Sequence, residues 1–150
     1  MQMAIDEARH GIKRNHGGPF GAIVVKDGKV LSKTHNEVLK TNDPTAHAEI
    51  LAIRQASAVL ERFDLSDCEM YTSSEPCPMC LAAIYWARIK TVYYGSNKVD
   101  VAAIGFDDGL FYRYIRGEKQ DQELELVNTD RDECLKLLRE WSEKSDKQMY

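Results

Sequence analysis

The sequence predicts an α/β fold, a three-layer α/β/α sandwich around a five-stranded mixed sheet, and three observations carry that expectation. Helical and extended patterns alternate along the 150 residues, the order that places helices on both faces of one sheet. The dipeptide Asp27-Gly28 joins the first two extended runs and makes them an antiparallel hairpin within that sheet. No repeat, low-complexity run or linker divides the chain, so a single domain over 1–150 is expected.

The first helix is expected between Met1 and Asn15, where Met3, Ala4, Ala8 and Ile12 recur at roughly helical spacing among charges. The hairpin follows, with Ile23 to Val25 and Lys29 to Ser32 flanking the type I′ turn that Asp-Gly favours. Asp43-Pro44 reads as an N-cap with proline at the first helical position, starting a helix to about Leu60 whose Ile50, Leu51 and Ile53 help fill the core. Glu69 to Thr72 is the third strand, Pro78 restarts a helix through Ala87, and Thr91 to Gly95 is the fourth strand. Asp107-Asp108-Gly109 interrupts two apolar clusters, so a short helix is expected on either side. The alternating Glu123 to Val127 reads as the fifth strand, and Asp130 to about Lys144, with Leu135, Leu138 and Trp141 on one face, as the last helix.

Composition narrows the class. A chain of this size buries a core without staples, and of its four cysteines two sit in a Cys77-x-x-Cys80 pair while Cys68 and Cys134 stand alone. That is not a disulfide framework, so a cytoplasmic setting is expected. The start, Met1-Gln2-Met3-Ala4-Ile5-Asp6-Glu7, carries acids where a signal peptide needs bases, and no apolar run approaches a membrane span. Residues 1–90 hold 11 basic and 11 acidic residues, residues 91–150 hold 9 and 13. Neither half shows the clustered Lys and Arg of a nucleic-acid footprint, which favours a small neutral substrate and no membrane partner.

The chemistry lies in Thr45-Ala46-His47-Ala48-Glu49 and Pro76-Cys77-Pro78-Met79-Cys80. Cys77 and Cys80, at i and i+3 of a helix start, face one side, and the helix N-terminus favours their thiolates. His47 completes a set of three zinc ligands, which leaves a fourth tetrahedral position for water and so marks a catalytic zinc. Two thiolates and a neutral imidazole balance the ion's charge. Glu49, about 200° from His47 on a common helix, need not ligate and is placed to move protons. A redox pair or half a zinc ribbon is the plainer reading of a lone Cys-x-x-Cys, but no second pair exists to complete a ribbon. His10, His16 and His35 read as solvated or locally bonded, and Cys68, Cys134, Trp86 and Trp141 as core or interface residues.

With those residues in view, the chain resembles the cytidine deaminase-like superfamily and, within it, the bacterial guanine deaminase branch. The resemblance runs through Gly17-Gly18-Pro19-Phe20-Gly21-Ala22, Asn42 to Glu49, Glu75 to Cys80 and Ala83 to Arg88; Gly105-Phe106-Asp107-Asp108 and Tyr150 point to the branch. It implies hydrolytic deamination of guanine to xanthine and ammonia, with one zinc per subunit and Glu49 as proton carrier. It also implies that Asn36 hydrogen-bonds the base, Phe20 stacks near it, and Asp108 and Tyr150 contact its far side. In the family the C-terminal segment, here about residues 120–150, can be exchanged between subunits of a homodimer, so Tyr150 would serve the neighbouring site.

Simpler readings stand beside these. Phe20 fits a core, Asn36 a turn cap, and Asp107 and Asp108 turn formers ahead of Gly109. Ser74 stands where this branch often has a cysteine, a departure without a ligand role. Guanosine is the nearest alternative substrate. Adenosine in tRNA would need a basic face, and a non-enzymatic zinc module would have no need of Glu49.

Overall fold

The Asp27-Gly28 dipeptide forms the turn its chemistry favours, with φ of 49° and 73°, and it fixes the hairpin on which the sheet is built. The structure is a computed structural model and describes residues 1–118 and 124–149. In chain order the elements are α1 (Gln2–Lys13), β1 (Gly21–Lys26), β2 (Lys29–His35), α2 (Val38–Thr41), α3 (Ala48–Leu60) and β3 (Glu69–Ser74). They continue with α4 (Pro78–Trp86), β4 (Thr91–Ser96), α5 (Lys98–Ala103), α6 (Gly109–Ile115) and α7 (Arg131–Glu143). Met1–Tyr112 forms one compact unit and Arg113–Tyr150 a second.

The sheet runs β2-β1-β3-β4. β1 pairs antiparallel with both β2 and β3, and β3 pairs parallel with β4. It is mixed, as expected, with four strands rather than five. Glu123 lies outside the described residues, and Leu124 to Val127 is irregular with its apolar side chains exposed. Alternation specifies only which side chains share a face; a strand also needs a neighbouring backbone to complete its hydrogen bonds, and that segment has none among the described residues.

Strand alternation assigns the two faces. Gly21 turns toward α1, so closely that a Cβ there would meet the Ala4 carbonyl oxygen at 2.1 Å. Ala22 and Val24 turn the other way, into a core with Ala48, Ala52 and Ala56 of α3, Met70 of β3 and Ile84 of α4. The sheet thus lies between α1 on one face and α3 with α4 on the other. Alanines at i, i+4 and i+8 form the buried stripe of α3, while Ile50, Leu51 and Ile53 are only half-buried. Small side chains mark the line of closest approach, and larger ones flank it. On α1, Ala4, Ala8 and Gly11 are buried in the same way and Met3 and Ile12 are exposed.

The short helices on either side of Asp107-Asp108-Gly109 are present as α5 and α6, and the last helix as α7. All four cysteines are free, Cys68 buried in the core and Cys134 exposed. Trp86 and Trp141 are exposed rather than core residues. Among the described residues no helix is long and apolar enough to cross a membrane.

Candidate active site

Two helix starts converge on one point. His47 is the N-cap of α3 (φ −71°, ψ 153°) and Cys77 the N-cap of α4 (φ −64°, ψ 167°), with Pro78 at the first helical position. Each cap is extended, and its carbonyl then accepts the first helical hydrogen bond, from Leu51 N–H at 3.0 Å and from Leu81 N–H at 2.8 Å. Both helices therefore aim N–H groups and the positive end of their dipoles at the same place, which favours anionic ligands there.

The expected helix start at Pro44 is displaced. Asp43 Oδ1 accepts the N–H and the hydroxyl of Thr45, at 2.8 and 2.7 Å. That is the bond a cap makes, but the turn it starts is not continued: Ala46 N–H goes to Asp43 O at 3.1 Å and His47 N–H to Thr45 O at 2.7 Å, and the helix begins only at Ala48. His47 and Glu49 consequently do not share a helix in the way their spacing suggested. His47 projects from the cap and Glu49 from the first turn.

His47 Nδ1 lies 3.6 Å from Cys77 Sγ and 3.5 Å from Cys80 Sγ. A zinc ion with bonds of about 2.3 Å to sulfur and about 2.05 Å to nitrogen at the tetrahedral angle would set each S···N separation at about 3.6 Å. The three ligand atoms all lie within 4.8 Å of one another, so side chains and spacing both fit the ion, and three protein ligands leave a coordination position open. The hydrogen bond with Cys80 lowers the Cys77 thiol to about 4 against burial, while the same contact and burial raise Cys80. The Cys77 sulfur in turn raises His47.

Glu49 is 6 % exposed, and burial pushes its carboxyl above the ordinary carboxylate range, with the Cys77 charge adding to it. Thr72 turns its hydroxyl toward Glu49 Oε1 at 3.5 Å from the inward face of β3.

The other expected site residues fall around this centre unevenly. Asn36 is buried, and its Oδ1 accepts the N–H groups of Gly18 at 3.3 Å and Val38 at 3.2 Å. That pairing assigns the amide orientation and leaves Nδ2 as a donor. The next residue, Glu37, donates its N–H to Ala46 O at 2.9 Å, which sets this segment beside the strand of chain leading into His47. Phe20 both packs on the core and meets Phe106 edge to face, ring centres 5.1 Å apart.

The two aspartates have different surroundings. Asp107 Oδ1 accepts Gly109 N–H at 2.9 Å and shapes the turn. Asp108 is half-buried, and its carboxyl is raised by burial first and by the charge of Cys77 second. Tyr112 is raised by burial and then by Asp108, Glu75 and Cys77, and the Lys98 ammonium sits 4.9 Å from its ring centre. Tyr150 lies outside the described residues. Ser74 hydrogen-bonds Ser96 at 2.9 Å and takes no part in the ligand set.

Sequence reasoning passed over Thr72, Phe106 and Tyr112. The parity of β3 is the signal for Thr72, because Met70, Thr72 and Ser74 alternate into the buried face. Phe106 stood in view only as part of a family motif. Nothing local marks Tyr112.

Residues 1–96 match the cytidine and deoxycytidylate deaminase zinc-binding region. The chain is 43% identical over 150 residues, all of its own length and 96% of the relative's, to a guanine deaminase of Bacillus subtilis (strain 168). The crystal structure of guanine deaminase from Bacillus subtilis matches with a TM-score of 0.92 at 44% identity, covering 99% of this chain and 95% of that one. A tRNA-specific adenosine deaminase of Agrobacterium fabrum is 44% identical, but over 97 residues, 65% of this chain and 63% of the relative.

Proposed function

Since the chain belongs to the cytidine and deoxycytidylate deaminase zinc-binding family, we propose that it hydrolyses guanine to xanthine and ammonia at the site bounded by His47, Glu49, Cys77 and Cys80. The observation that carries this choice is full-length similarity. The guanine deaminase relative is 43% identical across the whole chain, whereas a tRNA-specific adenosine deaminase reaches that identity over only 65% of it, and one that matches over 92% falls to 33%. The even charge balance of residues 1–90 also supports a small substrate over a polyanion.

His47 Nδ1 and the sulfurs of Cys77 and Cys80 hold the ion. Zinc bound there acts as a Lewis acid that makes water acidic near neutral pH. Glu49 takes the proton that water gives up as its oxygen bonds to C2 of the base, and delivers it to the adjacent ring nitrogen. Glu49 then takes the remaining proton from the new C2 hydroxyl and passes it to the exocyclic amine; the C2–N bond breaks as the C2 carbonyl forms, and ammonia departs with xanthine left behind. A buried carboxyl with a raised pKa suits both halves of that transfer.

The base needs both a donor and an acceptor to hold it. Asn36 Nδ2 supplies the donor for a ring acceptor, because its Oδ1 is occupied by Gly18 and Val38. Asp108 supplies the acceptor for a ring N–H, and Phe20, backed by Phe106, supplies an apolar face for stacking. Tyr150 closes the far side in this reading.

A homodimer, with residues from about 120 to 150 exchanged between subunits, extends the proposal. Leu137, Leu138 and Trp141 of α7 expose apolar surface, as expected of a helix that another chain covers. Purified protein supplied in parallel with guanine, guanosine and an adenosine-containing tRNA stem-loop is expected to release ammonia from guanine. Turnover of guanosine but not guanine would move the substrate to the nucleoside.

A further inference from the structure

On the opposite side of β2 from Asn36 lies a second group of ligating side chains. Strand alternation turns His35, the last residue of β2, toward α1, where its ring fills the space a Cβ on Gly11 would enter at 2.7 Å. The ring is buried. Its Nδ1 lies 3.2 Å from Glu7 Oε2, and its Nε2 lies 2.9 Å from His16 Nδ1 and 3.5 Å from Glu37 Oε1. With Glu7 accepting the Nδ1–H, Nε2 presents its lone pair to His16 and Glu37. A histidine held by a carboxylate on one nitrogen and free on the other is the arrangement that orients metal-ligating imidazoles.

We propose that His16 Nδ1, His35 Nε2 and Glu37 Oε1 form a second site for a divalent transition-metal cation, separate from the His47 site. Two imidazoles and a carboxylate select zinc, cobalt or nickel over magnesium or calcium, which take oxygen ligands. Their three ligand atoms lie within 4.8 Å of one another. Bonds of about 2.05 Å at the tetrahedral angle would separate each pair by about 3.3 Å. The His35–Glu37 distance is already close to that, and the 2.9 Å between His16, on the loop after α1, and His35 would open by about 0.4 Å as their hydrogen bond is exchanged for metal bonds.

Lys40 opposes the cation, because its ammonium already sits 2.8 Å from Glu37 Oε1. Binding must displace it, and this gives the proposal a second handle. The site also has a structural consequence: His16 precedes Gly17-Gly18, whose backbone holds Asn36, so a cation here would pin that loop to the end of β2.

The test is zinc stoichiometry and affinity, measured by elemental analysis and calorimetric titration of the full chain at micromolar free zinc. The expected result is two zinc ions per chain, falling to one in His16→Ala. Lys40→Ala, which removes no ligand, should bind the second ion more tightly, by roughly tenfold. One zinc per chain in the unaltered protein, or a second equivalent that survives His16→Ala and is indifferent to Lys40→Ala, overturns the proposal. Neither readout depends on deaminase activity, so it stands or falls apart from the proposed reaction.

Discussion

Gly17 lies so close to Asn36 that a Cβ built on it would fall 2.0 Å from the side-chain oxygen Oδ1. That oxygen also accepts the N–H of the neighbouring Gly18. The two glycines therefore act on the amide together, one by leaving room for it and the other by fixing which way it faces. Gly17→Ala is expected to displace Asn36 and leave the zinc ligands in place. Accommodating the extra carbon costs about 1–3 kcal/mol, and spent on substrate positioning this lowers kcat/KM by about 5- to 150-fold. Steady-state kinetics on Gly17→Ala, Asn36→Ala and the double variant would check it. Fully additive losses would mean that the two residues act separately.

Glu49→Gln should keep zinc at the level of the unaltered protein and lose about 10²- to 10⁴-fold in turnover, the range typical of a positioned acid-base group. Elemental analysis beside ammonia release separates the two effects. Loss of the metal with the activity would make Glu49 a structural support of the site rather than its proton carrier.

Asp107 and Asp108 are adjacent and chemically alike, yet their substitutions should differ. Asp107→Ala removes the acceptor for Gly109 N–H and is expected to loosen the start of α6 with KM little changed. Asp108→Asn removes the negative charge that shares an environment with Cys77 and should raise KM for guanine severalfold. Equal effects on KM would remove the distinction.

Acid stability has a local source at the base of the sheet. Asp67 takes hydrogen bonds from Lys26 and Arg62, and these, Lys26 foremost, lower its carboxyl from 3.8 to about 2. A depressed carboxylate stabilises the fold above its unfolded value, and that contribution fades as pH falls from 3.8 through about 2. The loss is expected to be small because the pair is solvent-screened. Asp67→Asn should lower stability at neutral pH and flatten its dependence across that window, as read from denaturant midpoints at each pH.

The parts legible in advance rest on local rules. The hairpin followed from a dipeptide, α4 from Pro78, and the ligand set from residue types and spacing, because each depends on a few bonded neighbours. The start of α3 did not, because Asp43 makes the bond of a cap to Thr45 N–H but the turn ends where His47 N–H bonds Thr45 O, and whether a turn continues is not written in its first residues. The fifth strand failed because a pattern of faces says nothing about a pairing partner. The buried stripe of α3 was legible only in part for a related reason: Ile53 does pack against the core, but counting large apolar residues hides the alanines that mark closest contact.

The sequence by itself determined the zinc ligands and the family to which the chain belongs, since those depend on side-chain chemistry at fixed separations. Only the tertiary structure decided that His47 is a cap, that Asn36 Oδ1 takes the N–H groups of Gly18 and Val38, that Asp107 turns the chain, and that His16, His35 and Glu37 come together. Each of those depends on which segments pack against one another, and packing between residues distant in the chain is set by the sheet, not by spacing.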